Sequence, residues 1–480
     1  MLYRGQACNG LSRGQPRRDG VIRIVLVLLA LGWASAAAAQ DSIDGVTPAI
    51  EARDSALAHA GVVTQSGGPY GDPRIGSYIA AIGERIRAVA GRDADKFQFT
   101  FTILDSPGVI AFAQPGGYIY LSRGLLALAS NEAEIAAVVA HEMAHVLLRH
   151  GAYRQQLQRS MAGRTPGEIA GATNRLTRAQ ELQADERSVA LLAAAGYDPN
   201  TQERFLLTVE AQIAFEIEVG MRGPRDGIIP EQPAIAERVA RVRQAVAALG
   251  ADGTRDAWRE GRSDHLAVIE GMVFGYRPSQ GMITDTRYVD TITRISFDAP
   301  PGYRFLNIRN LVAKNQIGAT LRVDVQRADA ETEMTDYLRA VVSPSTTFQT
   351  IESITIGGFK AAFAEATTSA ARPESYVLAA VRLGTDRVMR FHFAQEEAFT
   401  AAEVEQIRGT LATFRRLTVQ EAAAWQPMRL HVLTLGADAT PETLAPQMDT
   451  PRGVDWLMHL NRLAPGARLH AGDLIKFVQE

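Results

Sequence analysis

The run His141-Glu142-Met143-Ala144-His145 constrains this chain more than any other stretch. Around it the sequence predicts a helix. Asn131 is a good N-cap, Glu134 stands three residues on as a capping-box partner, apolar residues continue through Leu148, and Gly151 is placed to stop it. On a helix, positions 141 and 145 are neighbours on one face, so both imidazoles can converge on one ion. Glu142 lies one residue along, where its carboxylate can reach a water at the ion without being a ligand. The spacing arises by accident on the order of once in a hundred chains of this length. Burying two His and a Glu in an Ala/Val/Leu helix without partners would also be costly.

A catalytic zinc usually takes three protein ligands and leaves a fourth position open. A metzincin arrangement would need Gly at 148 and His at 151, and this chain has Leu148 and Gly151 there. His150, five residues past His145, points away from the 141/145 face on helical geometry and is expected to play a supporting or structural role. Glu181 opens Glu181-Leu-Gln-Ala-Asp185 on a second predicted helix, residues 177–195, which Gly196 and Pro199 end. Glu181 and Asp185 share a face at i,i+4, so one can bind zinc while the other orients a ligand histidine. By spacing alone, the pair is equally an ordinary pattern of acidic helix residues.

HEMAH, then ELQAD 36 residues after His145, then Ala195–Pro199, resembles the CAAX-prenyl protease/HtpX/BepA-like family of gluzincin metalloproteases, soluble periplasmic type. Pro115-Gly116-Gly117-Tyr118-Ile119, Gly124-Leu125-Leu126, Arg149-His150 and Arg238 add to the likeness, which covers roughly residues 70–245. The resemblance implies zinc ligands His141, His145 and Glu181, one zinc per chain, Glu142 as general base and Asp185 as support for a ligand. It implies that the Gly117–Leu121 strand borders the cleft and pairs with an extended substrate. Arg238 is placed to support Glu181 or the charge developing on a substrate carbonyl. Members often carry His-Pro where this chain has Gln232-Pro233. An amide is a weak zinc ligand, so no histidine gate is expected, and the Gly/Arg-rich segment 151–175 is left as candidate lid.

The chain of 480 residues has room for about three domains. Residues 1–39 read as a signal peptide: a basic region through Arg23, the apolar run Ile24–Ala34, and Ala37-x-Ala39 for cleavage. The apolar run has 11 residues, short of the ~20 that span a bilayer. The only cysteine, Cys8, lies inside residues 1–39, so a mature chain would hold no thiol ligand or nucleophile. The mature part is acidic, which sets nucleic acid aside as a partner. Residues 40–255 are helical in texture, the candidate metalloprotease domain with a small edge-strand sheet. Residues 277–420 turn to alternating strands with two helices, an α+β domain similar to PsbP-like domains, in which His392 is expected to be a packed or solvent-facing residue rather than a ligand. Residues 428–480 read as a βααβ unit similar to LysM modules, which implies either a peptidoglycan partner or, since the usual Gly-Asp-Thr start is broken into Gly436-Ala-Asp-Ala-Thr440, a degenerate docking module. The fold class is α+β throughout. Together these features predict an exported, zinc-dependent endopeptidase, periplasmic in a Gram-negative cell. The resemblance implies substrates that are unfolded or misassembled envelope proteins, and no transmembrane segment is expected in the mature chain. The rival is a non-catalytic envelope or peptidoglycan-binding protein with a structural metal site, which would have no use for Glu142.

Overall fold

The computed structural model describes residues 25–26, 46–219, 234–250, 258–284, 286–307, 311–369, 374–448, 450 and 452–480. The expected signal segment, apart from strand β1 (Val25–Leu26), and the Gln232-Pro233 pair lie outside the described residues. The fold is mixed helix and strand, as the α+β expectation had it.

Two helices, α1 (Pro48–Gln65) and α2 (Pro73–Arg87), lead into a small sheet of β2 (Thr100–Leu104), β3 (Ile110–Gln114) and β4 (Tyr118–Ser122). Strand order is β1-β3-β4-β2. The structure corrects the expectation that 117–121 forms an open edge. β4 runs antiparallel to β3 and parallel to β2, so both rows of its main-chain groups are used within the sheet. On its other side β3 meets β1 at Ile110 and Ala111.

After α3 (Arg123–Leu128) comes the helix that carries HEMAH, α4 (Glu132–Leu147). Asn131 caps it, its side chain accepting from Glu134 N–H at 3.0 Å. Every residue from Glu132 to Val146 is buried, which the alanines permit by letting neighbouring elements approach on all sides. The helix does not run to Gly151. It ends at Leu147, Arg149 takes a left-handed conformation (φ 54°), and α5 (His150–Ser160) begins at once. Gly151 is needed for a different reason: a Cβ there would stand 2.6 Å from Pro115 Cγ. Likewise α1 presses on the Pro115–Gly117 turn, where a Cβ on Gly116 (φ 80°) would meet Ala52 N at 2.3 Å.

The second site helix, α6, spans Pro166–Ala194 and so starts well before the expected Thr177. Thr165 and Glu168 form a capping box, with Pro166 in the first turn. Segment 151–175 is therefore most of α5, a short turn and the opening of α6, so the candidate lid is helical and not unpatterned. Helices α7 (Thr201–Glu218), α8 (Ile235–Ala248) and α9 (Arg262–Ile269) complete this part.

The middle region holds two sheets. One joins β5 (Met282–Thr284), β6 (Arg287–Asp290), β7 (Ile295–Asp298) and the short β15 (Arg415–Arg416). The other takes the order β11-β12-β13-β14-β10-β9-β8, from β8 (Arg304–Asn307), β9 (Val312–Lys314), β10 (Thr320–Arg327), β11 (Thr346–Ile356), β12 (Phe359–Thr368), β13 (Ser375–Arg382) and β14 (Arg387–Gln395). α10 (Met334–Val341) packs on one face and α11 (Ala401–Ala412) on the other. After α12 (Val419–Ala424) the tail forms a βααβ unit: β16 (Arg429–Thr434), α13 (Pro441–Leu444), α14 (Gly453–Asn461) and β17 (Leu474–Gln479), with the two strands antiparallel. Its Leu430, Leu457, Ile475 and Phe477 belong to the same buried cluster as Ile135, Val139 and Met143 of α4. The ammonium of Lys476 donates to the carbonyls of Ala127, Leu128 and Ala129 at 2.8, 3.2 and 3.1 Å. No described helix is long and apolar enough to cross a membrane.

Candidate metal centre

α4 and α6 cross so that His141, His145 and Glu181 face one point, and all three are buried. His141 Nε2 and His145 Nε2 are 3.1 Å apart. They stand 3.6 and 3.5 Å from Glu181 Oε2 and Oε1 respectively. Ligands about 2.0–2.1 Å from a tetrahedral zinc lie about 3.3 Å from one another. Each imidazole nitrogen therefore lies near zinc-ligand separation from the other and from one Glu181 oxygen. Neither carboxylate oxygen of Glu181 has a hydrogen-bond partner, although both are fully buried. The ion pair of Glu181 with Arg238 Nη1 at 3.3 Å makes no hydrogen bond, and a buried carboxylate without hydrogen bonds is costly; a divalent cation would remove that cost. Two imidazole nitrogens and one carboxylate oxygen are the donor set of a catalytic zinc with one position left open.

The polar groups behind these residues hold them in place. Asp185, one turn along α6, lies 3.0 Å from His141 Nδ1. Gln202 on α7 donates to Asp185 Oδ1 at 3.0 Å. Arg238 on α8 donates to both Asp185 oxygens, from Nε at 2.7 Å and Nη2 at 2.8 Å, and its Nη1 sits 3.3 Å from Glu181 Oε2. Burial works to raise the Asp185 pKa, but the Arg238 guanidinium overrides it and holds the carboxyl well below its usual range. Burial likewise opposes charge on His141, and the Asp185 and Glu181 carboxylates outweigh it, raising that imidazole to about 9. Glu142, with no such counter-charge dominating, is raised by burial to about 7.

His150 corrects the expectation that it points away from the 141/145 face, while its contact with His145 agrees with the supporting role expected of it. The left-handed turn at Arg149 swings it back toward the site, and its Nδ1 lies 2.8 Å from His145 Nδ1. Its Nε2 reaches Gln183 Oε1 at 3.2 Å. Burial lowers its pKa to about 4, so it is neutral at physiological pH. A chain in which His145 Nδ1–H donates to His150, and His150 Nε2–H to Gln183, leaves the His145 Nε2 lone pair facing the ion position. Arg238, expected to support either Glu181 or a developing charge, is committed to Asp185 and Glu181. Sequence reasoning missed Gln202 and Arg154. The second was findable, since it stands four residues past His150 on α5 and donates to Gln180 at 2.6 Å. His392 of β14 packs against Tyr376, ring centres 4.7 Å apart, and forms no part of a metal-binding group among the described residues.

Similarity to known proteins bears on the same stretch. The sequence model described as Peptidase family M48 matches residues 74–246, from α2 into α8. The beta-barrel assembly-enhancing protease of Yersinia pestis is 29% identical over 160 residues, and its Vibrio cholerae counterpart 34% over 162. Each alignment covers 28% of this chain and 32% of the relative, so the chain spans about a third of the length of these relatives. The mitochondrial metalloendopeptidase OMA1 of Schizosaccharomyces pombe is 24% identical over 196 residues, covering 36% of this chain and 56% of its own. Among solved structures, cyanobacterial PsbP from Synechocystis sp. PCC 6803 covers 28% of this chain and 94% of its own at 12% identity. Its TM-score of 0.21 is too low to assign a fold. The family match and the buried His-His-Glu set fall on the same helices, so residues 74–246 are similar to Peptidase family M48 over the stretch that carries the candidate metal site.

Proposed function

We propose that this chain is a zinc-dependent endopeptidase, exported to the periplasm, that cleaves unfolded or misassembled envelope proteins. The observation that carries the reading is Glu181: a fully buried carboxylate with no hydrogen-bond partner, facing two imidazoles at zinc-ligand separation. His141, His145 and Glu181 would hold one zinc. Zinc in such a site polarises the scissile carbonyl and makes a water acidic enough to attack near neutral pH. Glu142 takes the proton of the attacking water and hands it to the leaving amine. A residue raised to about 7 by burial is suited to doing both near neutrality. Asp185, fixed by Arg238 and Gln202, keeps His141 oriented. The envelope as the place of action is supported by the assembly-enhancing relatives and by the signal-like residues 1–39.

A binding protein with a closed structural metal site is the alternative, and Glu142 speaks against it. The test is metal analysis with casein degradation on purified protein. Wild type should hold about one zinc per chain, and Glu142→Gln should keep it while proteolysis drops by roughly 10²-fold or more. Wild-type activity in Glu142→Gln would overturn the mechanism, and stoichiometric zinc in His145→Ala would overturn the ligand set.

A further inference from the structure

We propose that Arg154 is a further catalytic residue of this site, its guanidinium donating hydrogen bonds to the scissile carbonyl oxygen as that oxygen gathers negative charge. The proposal rests on the peptidase reading above. Amide hydrolysis needs more than a base: donors must be aimed where the charge develops, and such donors are usually the largest single contribution to rate.

Among the charges that act on Glu142 are the guanidiniums of Arg238 and Arg154. Arg238 is spent. It is buried behind His141, with its nitrogens on Asp185 and Glu181. Arg149, the next cation along, is held by Glu51 and by the main-chain oxygen of Val46.

Arg154 is arranged differently. The left-handed turn at Arg149 starts α5 directly after α4, and one turn into α5 Arg154 comes to the same small cleft as His145. With His145, Gln114, Pro115 and Gly151 it lines a small cleft. Its single hydrogen bond among the described residues runs from Nη1 to Gln180 Oε1 at 2.6 Å, and it has no ion pair there. Gln180 is itself fixed, donating to the His150 carbonyl at 3.0 Å. The guanidinium is thus oriented by a neutral amide, with its other donors uncommitted. It acts electrostatically on Glu142, Glu181 and His145 alike. Burial lowers its pKa only to about 10, so it stays charged at neutral pH.

In the step itself, the water oxygen bonds to the carbonyl carbon and the C=O π pair moves onto oxygen. Glu142 takes the water proton and passes it to nitrogen as the C–N bond breaks. The pair on oxygen then re-forms the carbonyl, giving a carboxylic acid and an amine. Arg154 donates to that oxygen while it carries the charge.

The experiment compares zinc-loaded wild type, Arg154→Gln and Arg154→Lys. It measures kcat and KM on a fluorogenic peptide and zinc content. It also measures affinity for two peptide inhibitors, a phosphinate that mimics the tetrahedral oxyanion and a thiol that binds zinc without one. Arg154→Gln should keep zinc and a KM within about threefold while kcat falls about 10²-fold. Phosphinate affinity should fall by the same factor as kcat, thiol affinity should hold, and Arg154→Lys should recover part of the loss. Unchanged kcat overturns the proposal, and so does a fall shared with zinc content or thiol affinity, which would make Arg154 a brace for Gln180. If wild type cleaves nothing, the peptidase reading fails by itself, while the phosphinate-to-thiol ratio still decides whether Arg154 meets an oxyanion.

Discussion

The two ends of α4 carry buried carboxylates in opposite circumstances. At the N-terminal end, Glu132 accepts from Tyr197 and Arg259, and Glu134 accepts from Ser130 N–H at 2.9 Å and from both terminal nitrogens of Arg462 at 2.5 Å. At the C-terminal end, Glu142 sits in the apolar helix and Glu181 faces it across the crossing with no hydrogen-bond partner. A carboxylate satisfied by guanidiniums holds the fold together. Glu181 has the Arg238 guanidinium at 3.3 Å but no hydrogen bond at zero exposure, an arrangement that costs stability and fits a group kept for an ion it binds.

That difference can be broken most directly at Glu181. Glu181→Gln should weaken zinc binding by more than about 10²-fold, the loss of a ligand exceeding that of an outer support. In the metal-free protein the same change should leave the thermal midpoint equal or higher, because a buried charge has been removed. A large drop in the metal-free midpoint would mean that the Arg238 contact to Glu181 stabilises the fold as the Arg462 bonds to Glu134 do, and the contrast would collapse.

The N-terminal end should respond the other way. Glu134→Gln strips the charge-assisted bonds from Arg462 and should destabilise the metal-free and zinc-loaded protein alike, by about 2 kcal/mol. Zinc affinity should stay within a few-fold, as a competition titration against a chelator would show. A selective loss of zinc would join the two ends into one site.

Lys476, on the tail strand that abuts this N-terminal end, adds a pH dependence. Burial pushes its pKa down to about 7 from 10.5 in the unfolded chain, against the pull of the three carbonyls it binds. Between those values the unfolded state holds the proton more tightly than the folded one, so stability rises as pH climbs through about 7 toward 10. Relative to Lys476→Met, wild type should therefore gain thermal stability from pH 7 to pH 9. A difference independent of pH would show that the carbonyls keep the ammonium charged throughout.

How much of this is legible in the sequence depends on how local the cause is. The Asn131 cap, the 141/145 face and the 181/185 face are set by spacing within one helix, and the structure has all three. The Thr165–Glu168 capping box is equally local, but the residues between it and Thr177 lack a clear apolar period that would mark it as a helix start. The interior position of β4 is not legible, since pairing on both sides depends on where β2 and β3 lie. Lys476 is the hardest. In Leu474-Ile475-Lys476-Phe477-Val478 alternation assigns it to the solvent face, yet it is fully buried against a helix almost 350 positions earlier. His150 departs from helical geometry because a single left-handed residue, Arg149, restarts the helix and changes which face it presents.

The smallest expected effect sharpens the comparison by holding the helices constant. α6 and α8 are joined by the buried Asp185–Arg238 pair and also by Glu186–Arg241 at 2.8 Å and Arg178–Glu237 at 2.7 Å. The outer pairs have side chains about half exposed, 54% and 45% for Glu186 and Arg241. Water screens them and ordering two long side chains opposes them, so Glu186→Ala or Glu237→Ala should change stability by no more than about 0.5 kcal/mol. Zinc content and proteolysis should be untouched. Asp185→Ala, one residue from Glu186 on the same helix, removes a fully buried partner and leaves the Arg238 charge and His141 without their support. It should lower zinc affinity by about 10–100-fold. Side by side, these variants separate bringing α6 and α8 together from orienting a ligand at their crossing. If Glu186→Ala weakened zinc as much as Asp185→Ala, the orientation of His141 would have to be assigned to helix packing instead of to the carboxylate beside it.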